Sequence, residues 1–323
     1  MRRGTVFGHR DFERIIEAMK VGKDFAVMSG IKPSSEFHLG TLLTVKEIVY
    51  FQQQGAHAFY CIADLEAYED NGISLHESEK IAVGNVADLL ALGFDPDRGY
   101  IYRQSKEERV KQLAYKLGRV VTLATMRAIY GDKHIGLYMS ALTQAGDILL
   151  PQLQDFGGPK PTVVPVGIDQ DPHIRLCRDL ARRFQHEDGF ILPSAIYHKL
   201  IKGLQGTGKM SKRNPMSYFT LDEPPEVVTQ KIMEAFTGGR ATLKEHRELG
   251  GIPEVCTIYE MCKYHFYELD SDVEQMFGDC KAGRIFCGQC KEKVASIVAK
   301  FVAEHQKRRK DNLEKARELL RLT

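Results

Sequence analysis

Long apolar segments are missing from this chain of 323 residues. No run approaches the roughly 20 apolar residues that a membrane-spanning helix needs. The N-terminal stretch also lacks the apolar core of a secretory signal peptide. These absences argue against a membrane protein or a membrane partner, and we expect a protein of the cytoplasm.

A strong charge of either sign is missing too, because 45 lysines and arginines nearly balance 43 aspartates and glutamates. With a formal net charge of +2, the whole molecule is not a general binder of polyanions, so any contact with RNA must use local patches. The seven cysteines are odd in number. In a chain without a secretion signal, this argues against a disulfide framework.

A strand, a turn and a helix are predicted near the N-terminus. Phe25–Met28 is a short apolar run, and after a turn rich in Gly, Pro and Ser the apolar residues between Leu42 and Val49 recur at helical spacing. This arrangement points a helix N-terminus at the carboxyl end of a strand, where the phosphate of a nucleotide can bind. His38 can donate to a phosphate oxygen, and Gly40 has no Cβ to keep an adenine ring from the backbone.

A second motif, the lysine loop, lies far along the chain at 209–212 with the sequence Lys-Met-Ser-Lys. Three glycines precede it within residues 203–208. Glycines beside two lysines predict a mobile loop that carries ammonium groups toward developing negative charge. The alternative for these lysines is an ordinary exposed basic loop.

Apolar runs alternate with helical patterns over the first two thirds of the chain. Further strands are predicted at 57–63, 100–104 and 161–166. The alternation predicts an α/β fold with a Rossmann-like parallel sheet in residues 1–221, interrupted by a helical insertion at about 105–160. Every segment of residues 222–323 is helical, which predicts a separate all-α domain.

Residues 38–41, His-Leu-Gly-Thr, form a His-x-Gly-x motif, called the box below. The box and the lysine loop together resemble the two signatures of class I aminoacyl-tRNA synthetases. Thr41 stands where many members have a second His, and Arg213 stands where Ser is usual. The resemblance implies a catalytic domain with this fold and an insertion that forms the interface of a homodimer. It also implies that the C-terminal helical domain binds the anticodon.

Within this class the chain is similar to the branch for tryptophan and tyrosine, and more so to its tryptophan members. Segments 168–173 and 235–240 resemble the archaeal and eukaryal type, whereas 144–150 is similar to the bacterial type. Tyrosine-specific members place a Tyr hydroxyl at the position of Met28, whose thioether instead suits a flat apolar ring. The implied function is activation of L-tryptophan with ATP to tryptophanyl-adenylate, followed by transfer to tRNA(Trp).

The resemblance also implies which residues bind tryptophan. Asp147 matches an acceptor for the indole N–H, a group that can only donate, and Gln170 matches a residue that holds the ammonium group. Read without the resemblance, Asp147 is a helix residue paired with an arginine, Gln170 a turn residue bonded to backbone, and Glu66 a solvated acid. The predicted tryptophan site consists of Met28, Glu66, Gln144, Asp147 and Gln170.

The nucleotide site is predicted from the two signatures. His38 and the loop lysines would stabilise the α-phosphate and the leaving pyrophosphate, with Mg²⁺ bridging phosphate oxygens. The predicted catalytic residues are His38, Gly40, Thr41, Lys209, Met210, Ser211 and Lys212. The predicted ATP-binding residues are Lys32, His38, Gly40, Lys209 and Lys212.

Four cysteines have the spacing of a metal site. Cys287 and Cys290 form a Cys-x-x-Cys pair, with Cys280 seven residues before it and Cys256 a further 24 residues before that. Four thiolates at one point hold zinc or an iron–sulfur cluster. The alternatives are Cys262 as the first ligand, or small cysteines buried in a helical core. Some members of the resembled branch carry a [4Fe–4S] cluster on similarly spaced cysteines, so the resemblance favours that cluster over Zn²⁺.

Three other functions stay open at this point. A tyrosine–tRNA ligase would use the same chemistry, but Met28 and segment 168–173 disfavour it. A small-molecule nucleotidylyltransferase also uses such a box, but has no need of a helical C-terminal domain. A synthetase-like RNA-binding protein without catalysis is disfavoured by the intact lysine loop.

Overall fold

The computed structural model describes residues 3–206, 208, 210 and 214–321. The chain forms two compact units. The sheet unit comprises Val6–Glu36, Thr44–Lys199 and Arg309–Thr323, and the helical unit comprises Met1–Thr5, Phe37–Leu43 and Leu200–Arg308. The predicted domain boundary between residues 221 and 222 stays a prediction.

Within the described residues, six strands of the sheet unit form one mostly parallel sheet in the order β1-β6-β5-β2-β3-β4. The strands are β1 Val6–Arg10, β2 Ala26–Ile31, β3 His57–Ile62, β4 Gly99–Arg103, β5 Thr162–Gly167 and β6 Ser194–His198. Only β1 runs antiparallel to its neighbour, β6. The register sets Met28 opposite Phe59 and Cys61 opposite Tyr102. The predicted α/β fold with a Rossmann-like parallel sheet is therefore confirmed.

Helices pack against this sheet and close its core. They are α1 Glu13–Val21, α2 Leu39–Gln53, α3 Asp64–Asn71, α4 Leu75–Ala91, α5 Glu108–Gly118, α6 Leu123–Tyr130, α7 Ile135–Leu149, α8 Asp171–Arg183 and α9 Gln185–Asp188. Helix α7 packs between α5 and α8, where Leu117, Leu149 and Leu180 are almost fully buried. Each such side chain contributes about 1.5–3 kcal/mol when it leaves water. This packing holds α7 firmly beside the sheet.

The helical unit contains α10 Pro225–Glu234, α11 Leu243–Leu249, α12 Thr257–Met261, α13 Asp270–Lys281 and most of α14 Cys287–Asp311. One π-helical turn, Cys262–Phe266, follows α12. The chain then returns to the sheet unit, where α15 Leu313–Leu319 packs on α4 and Arg309 pairs with the buried Asp88 at 2.9 Å. No helix in the described part of the chain is both long enough and apolar enough to cross a membrane.

Candidate active site

A cavity of about 280 Å³ opens where the carboxyl ends of β2, β3 and β5 meet. Ligands of open α/β sheets bind at this edge of the sheet. The cavity is lined by six of the predicted site residues, which are Met28, Lys32, Glu66, Gln144, Asp147 and Gln170. Positions more than 140 residues apart along the chain are thus brought together in one concave site.

Asp147 lies at the buried end of this cavity and is only 3% exposed. The Tyr102 hydroxyl donates to its Oδ1 at 2.7 Å, and the Gln104 Nε2 donates to its Oδ2 at 2.6 Å. The Cys61 thiol contacts Oδ1 at 3.5 Å. Because burial strips the carboxylate of water, the pKa of Asp147 rises to about 7 despite these donors. Its hydrogen-bond partners in the described chain are neutral side chains, unlike the arginine of the alternative interpretation.

Tyr102 and Gln104 are functional candidates that the sequence analysis missed. They stand at positions i and i+2 at the end of β4, so their side chains leave the same face of the sheet. The alternation within the predicted strand at 100–104 was a signal for a shared face. Nothing in the sequence indicated that this face meets α7, because the pairing spans 43 to 45 residues.

Polar groups gather at the open side of the cavity. The Gln144 Nε2 donates to the Gln170 Oε1 at 3.5 Å, and the Tyr130 hydroxyl lies 3.1 Å from Nδ1 of His173. Burial lowers the pKa of His173, so its imidazole is neutral at pH 7. Tyr130 and His173 were also not predicted, since a lone Tyr and a lone His carry no motif. Together these side chains offer acceptors for an ammonium group.

Lys32 forms ion pairs with the two acids of α3 in the same region. Its Nζ lies 3.5 Å from Oε1 of Glu66 and bonds to Asp70. Burial alone would lower the pKa of Lys32, but the two carboxylates outweigh it and the pKa is raised. Burial raises the pKa of Glu66, against the opposing effect of Lys32. Glu66 is therefore part of the cavity wall rather than a solvated acid.

The box residues His38, Gly40 and Thr41 belong to the helical unit, at the start of α2. The Gly40 N–H donates to Nδ1 of His38 at 3.0 Å. Because Nδ1 is the acceptor, the proton of a neutral His38 resides on Nε2, which can donate. A Cβ at Gly40 would lie 2.9 Å from Cε1 of His38, so glycine is needed here for the imidazole itself.

The predicted loop residues Lys209, Ser211 and Lys212 lie outside the described residues, whereas Met210 is half-buried. The preceding glycines are required by the backbone. Gly206 and Gly208 have φ values of +79° and +70°, and a Cβ at Gly206 would lie 2.4 Å from the Phe236 ring. Such left-handed conformations favour glycine because a side chain is strained there.

The four cysteines of the predicted metal site line one cavity in the helical unit. Cys256 precedes α12, Cys280 lies in α13, and Cys287 and Cys290 occupy the first turn of α14. Glycine backbone packs closely on two of the sulfurs: a Cβ at Gly251 would lie 2.6 Å from Cys280 Sγ, and one at Gly239 would lie 2.9 Å from Cys287 Sγ. Cys262 does not line the cavity. Among the described residues, no three His, Cys, Asp or Glu side chains converge closely enough to hold one metal ion.

Comparison with known proteins adds to this geometry. The family model described as tRNA synthetases class I (W and Y) matches residues 19–303. A tryptophan–tRNA ligase of Hyperthermus butylicus is 45% identical over 321 residues, which cover 98% of this chain and 85% of that protein.

Two solved structures extend the similarity to three dimensions. The crystal structure of tryptophanyl-tRNA synthetase from Aeropyrum pernix K1 has a TM-score of 0.95 and 44% identity, covering 99% of this chain and 88% of that one. The tryptophan-bound tryptophanyl-tRNA synthetase from Encephalitozoon cuniculi has a TM-score of 0.87 and 27% identity, covering 98% and 87% of the two chains. The similarity thus spans both units of this chain.

Proposed function

Because the chain belongs to the class I tRNA synthetases for W and Y, we propose that it is a tryptophan–tRNA ligase that activates L-tryptophan with ATP and charges tRNA(Trp). The observation that carries this function is the 40–45% identity, over nearly the whole chain, to tryptophan–tRNA ligases. We also propose a cytoplasmic location, where ribosomes consume charged tRNA.

The ring of the amino acid is assigned to the buried end of the cavity. An indole N–H is a donor only, and Asp147 is the acceptor placed there. The Met28 thioether lines the same cavity and suits a flat ring, because sulfur packs on aromatic rings with about 0.3–1.5 kcal/mol of stabilisation. Met28 rather than Asp147 supports tryptophan over tyrosine, because the phenol hydroxyl of tyrosine could also donate to a carboxylate.

The ammonium group of the substrate is assigned to the open side of the cavity. Gln170 and Gln144 offer amide oxygens, and Glu66 offers a carboxylate. The Tyr130 hydroxyl stands next to them through its contact with His173. Held in this way, the substrate carboxylate is oriented to attack the α-phosphorus of ATP with release of pyrophosphate. Such positioning supplies most of the catalysis in phosphoryl and nucleotidyl transfer.

Charge stabilisation is assigned to His38 and the lysines. His38 Nε2 can donate to a phosphate oxygen, and Thr41 presents a backbone N–H group at the helix start, while the Gly40 N–H orients the imidazole. Lys209 and Lys212, with Met210 and Ser211 between them, would neutralise the leaving pyrophosphate. Lys32 is the last of the predicted ATP-binding residues. To bind the nucleotide it would have to break its ion pairs with Glu66 and Asp70. Mg²⁺, when bound, would neutralise phosphate charge.

The cysteine cavity is proposed to hold a [4Fe–4S] cluster. Four thiolates are the donor set that such clusters use. The alternative is a single Zn²⁺, whose sulfur ligands would each lie about 2.3 Å from one point. The cluster would join α12, α13 and α14 and so shape the surface that meets the tRNA anticodon.

A homodimer is proposed through the insertion helices α5–α7. Large apolar side chains stand exposed there, namely Tyr115 at 84%, Leu123 at 52%, Ile135 at 74% and Met139 at 45%. The proposal takes these side chains as one apolar patch, the kind of surface that marks an interaction site. Light scattering at micromolar concentration should give twice 36.6 kDa, and Ile135→Glu should give 36.6 kDa. The matched control Val21→Glu, at an exposed apolar position of α1, should stay dimeric, and a monomeric wild type would contradict the proposal.

The proposed activity is tested by ATP–pyrophosphate exchange with the purified chain, offered tryptophan and tyrosine in parallel. We expect exchange with tryptophan and at least about 100-fold lower kcat/KM with tyrosine, as a site built around specific hydrogen bonds achieves. Exchange with tyrosine alone would show that Met28 and Asp147 have been assigned wrongly. Exchange with neither would favour a synthetase-like RNA-binding protein.

A further inference from the structure

Gln104 is held rigidly beside Asp147. Its two neighbours in the chain are both tied to Asp64, which is fully buried. The Arg103 Nε donates to Asp64 Oδ2 at 3.2 Å, and the Ser105 N–H donates to Oδ1 at 2.9 Å. With both flanks anchored, the side chain between them has little freedom. This part of β4 and the turn after it therefore acts as a fixed platform.

The amide orientation of Gln104 is determined by its second contact. Its Oε1 accepts from the Glu66 N–H at 3.4 Å, so its Nε2 must face Asp147. An amide NH₂ only donates, and therefore Oδ2 of Asp147 can act only as an acceptor in this contact. Gln104 also links the acid of the ammonium subsite, Glu66, to the acceptor of the ring subsite.

Tyr102 is hydrogen-bonded to the second carboxylate oxygen of Asp147, the one that Gln104 does not contact. Its hydroxyl donates to Oδ1 of Asp147 at 2.7 Å, and its ring stacks on Tyr100 at 5.5 Å between centroids. Tyr102 is 6% exposed and burial raises its pKa, so it remains a protonated donor throughout the physiological range. Both oxygens of Asp147 thus receive hydrogen bonds that favour the ionised, accepting carboxylate.

We propose that Tyr102 and Gln104 are positioning residues that keep Asp147 an ionised and correctly oriented hydrogen-bond acceptor, and so set the selection for a substrate ring with an N–H donor. The inference rests on the proposed function. Neither residue needs to touch the substrate for this effect. If the donors are removed, the buried carboxylate binds a proton or rotates, and the indole N–H loses its partner.

The test compares L-tryptophan with the amino acid that carries benzothiophene in place of indole, which has the same shape but no ring N–H. ATP–pyrophosphate exchange gives kcat/KM for both in the wild type, Tyr102→Phe and Gln104→Met. The wild type should prefer tryptophan by at least about 100-fold. Each variant should lower this ratio by about 10-fold or more, since hydrogen bonds to a charged group are lost.

The ratio of the two kcat/KM values reports on the ring subsite alone, because effects on the rest of the site act on both substrates equally. The titratable groups around Asp147 are Cys61 on β3, Tyr102 on β4 and Glu66 on α3. Glu66 faces the part that both substrates share, so its titration cancels in the ratio. The tryptophan kcat/KM of Tyr102→Phe should recover as the pH rises and Asp147 ionises, while the benzothiophene value should not follow this recovery.

The matched control is Tyr100→Phe. Tyr100 lies on the same strand and the same face, but its hydroxyl bonds to Glu107 and not to Asp147. The ratio of kcat/KM for tryptophan to kcat/KM for the benzothiophene analogue should be the same in Tyr100→Phe as in the wild type. Thermal melts by circular dichroism identify any variant that does not fold. If either Tyr102→Phe or Gln104→Met fails to fold, the other one provides the test. An unchanged ratio in folded Tyr102→Phe or Gln104→Met would overturn this inference alone, whereas a wild type without tryptophan-dependent exchange would overturn the proposed function as well.

Discussion

Replacing Asp147 with asparagine is expected to lower kcat/KM for tryptophan by about 10²–10³ while leaving the chain folded. An asparagine at this position carries an NH₂ group that must face either the Gln104 Nε2 or the Tyr102 hydroxyl, both of which now donate. The Tyr102 hydroxyl can accept from that NH₂ group only by giving up its donation to residue 147, and the accepting charge for the indole N–H is gone. The measurement is ATP–pyrophosphate exchange at pH 7.5, with tryptophan as the varied substrate.

The same variant has an expected signature in stability. An acid whose folded pKa is raised, here from 3.8 to about 7, binds its proton more tightly in the folded state. The wild type therefore loses unfolding free energy as the pH rises from about 4 to about 7, and no further above that. The asparagine cannot titrate, so the unfolding free energy of the variant relative to wild type should increase over that window and then level off.

A matched control separates this effect from a general change of charge. Asp179→Asn alters a mostly exposed carboxylate of α8, and it should change neither the exchange rate nor the pH dependence of unfolding by a measurable amount. A pH-independent difference between Asp147→Asn and wild type would contradict a raised pKa at Asp147. Undiminished tryptophan exchange in that variant would remove Asp147 from the substrate site.

Replacing Cys290 with serine is the second change with a large expected effect. If the four cysteines hold a [4Fe–4S] cluster, loss of one thiolate should abolish stoichiometric iron and sulfide and the broad absorbance near roughly 400 nm in anaerobically reconstituted protein. Because metal binding contributes folding free energy directly, Tm should fall by about 10 °C or more. The readouts are metal analysis, absorbance and thermal unfolding.

Cys262→Ser is the matched control, because this cysteine is buried close by but does not line the cavity. It should retain the iron and the absorbance, although its buried hydroxyl will cost some stability. If metal analysis finds one equivalent of zinc and no iron, the cysteines hold a single zinc ion and the proposed cluster is wrong. If the wild-type protein binds neither metal, the four cysteines are best explained as part of an apolar helical core.

Several features of the fold could be predicted from local residue patterns. The strands β2, β3 and β5 are mostly apolar and largely buried, as is typical of strands covered on both faces. The strands β1 and β6 were not predicted, although the equally short β4 was. Short strands of this kind are specified by their neighbours in the sheet more than by their own composition.

The candidate site divides in the same way. His38 with Gly40, the cysteine pair and the lysine loop are defined by spacing over a few residues, and sequence alone is sufficient to find such motifs. Tyr102, Gln104 and Tyr130 have no such local signal, because their partners lie 43 to 45 residues away along the chain.

The sequence by itself determined the class of chemistry, through the box at 38–41 and the loop at 209–212, and it determined the parallel sheet that such chemistry uses. Only the tertiary structure decided the environment of Asp147, since burial and donors from β4 set its pKa. It also decided that Cys256 and not Cys262 lines the cavity shared by the other three cysteines. The physical reason is common to both: hydration, hydrogen bonding and cavity lining depend on atoms brought together by packing, and these are not neighbours in the sequence.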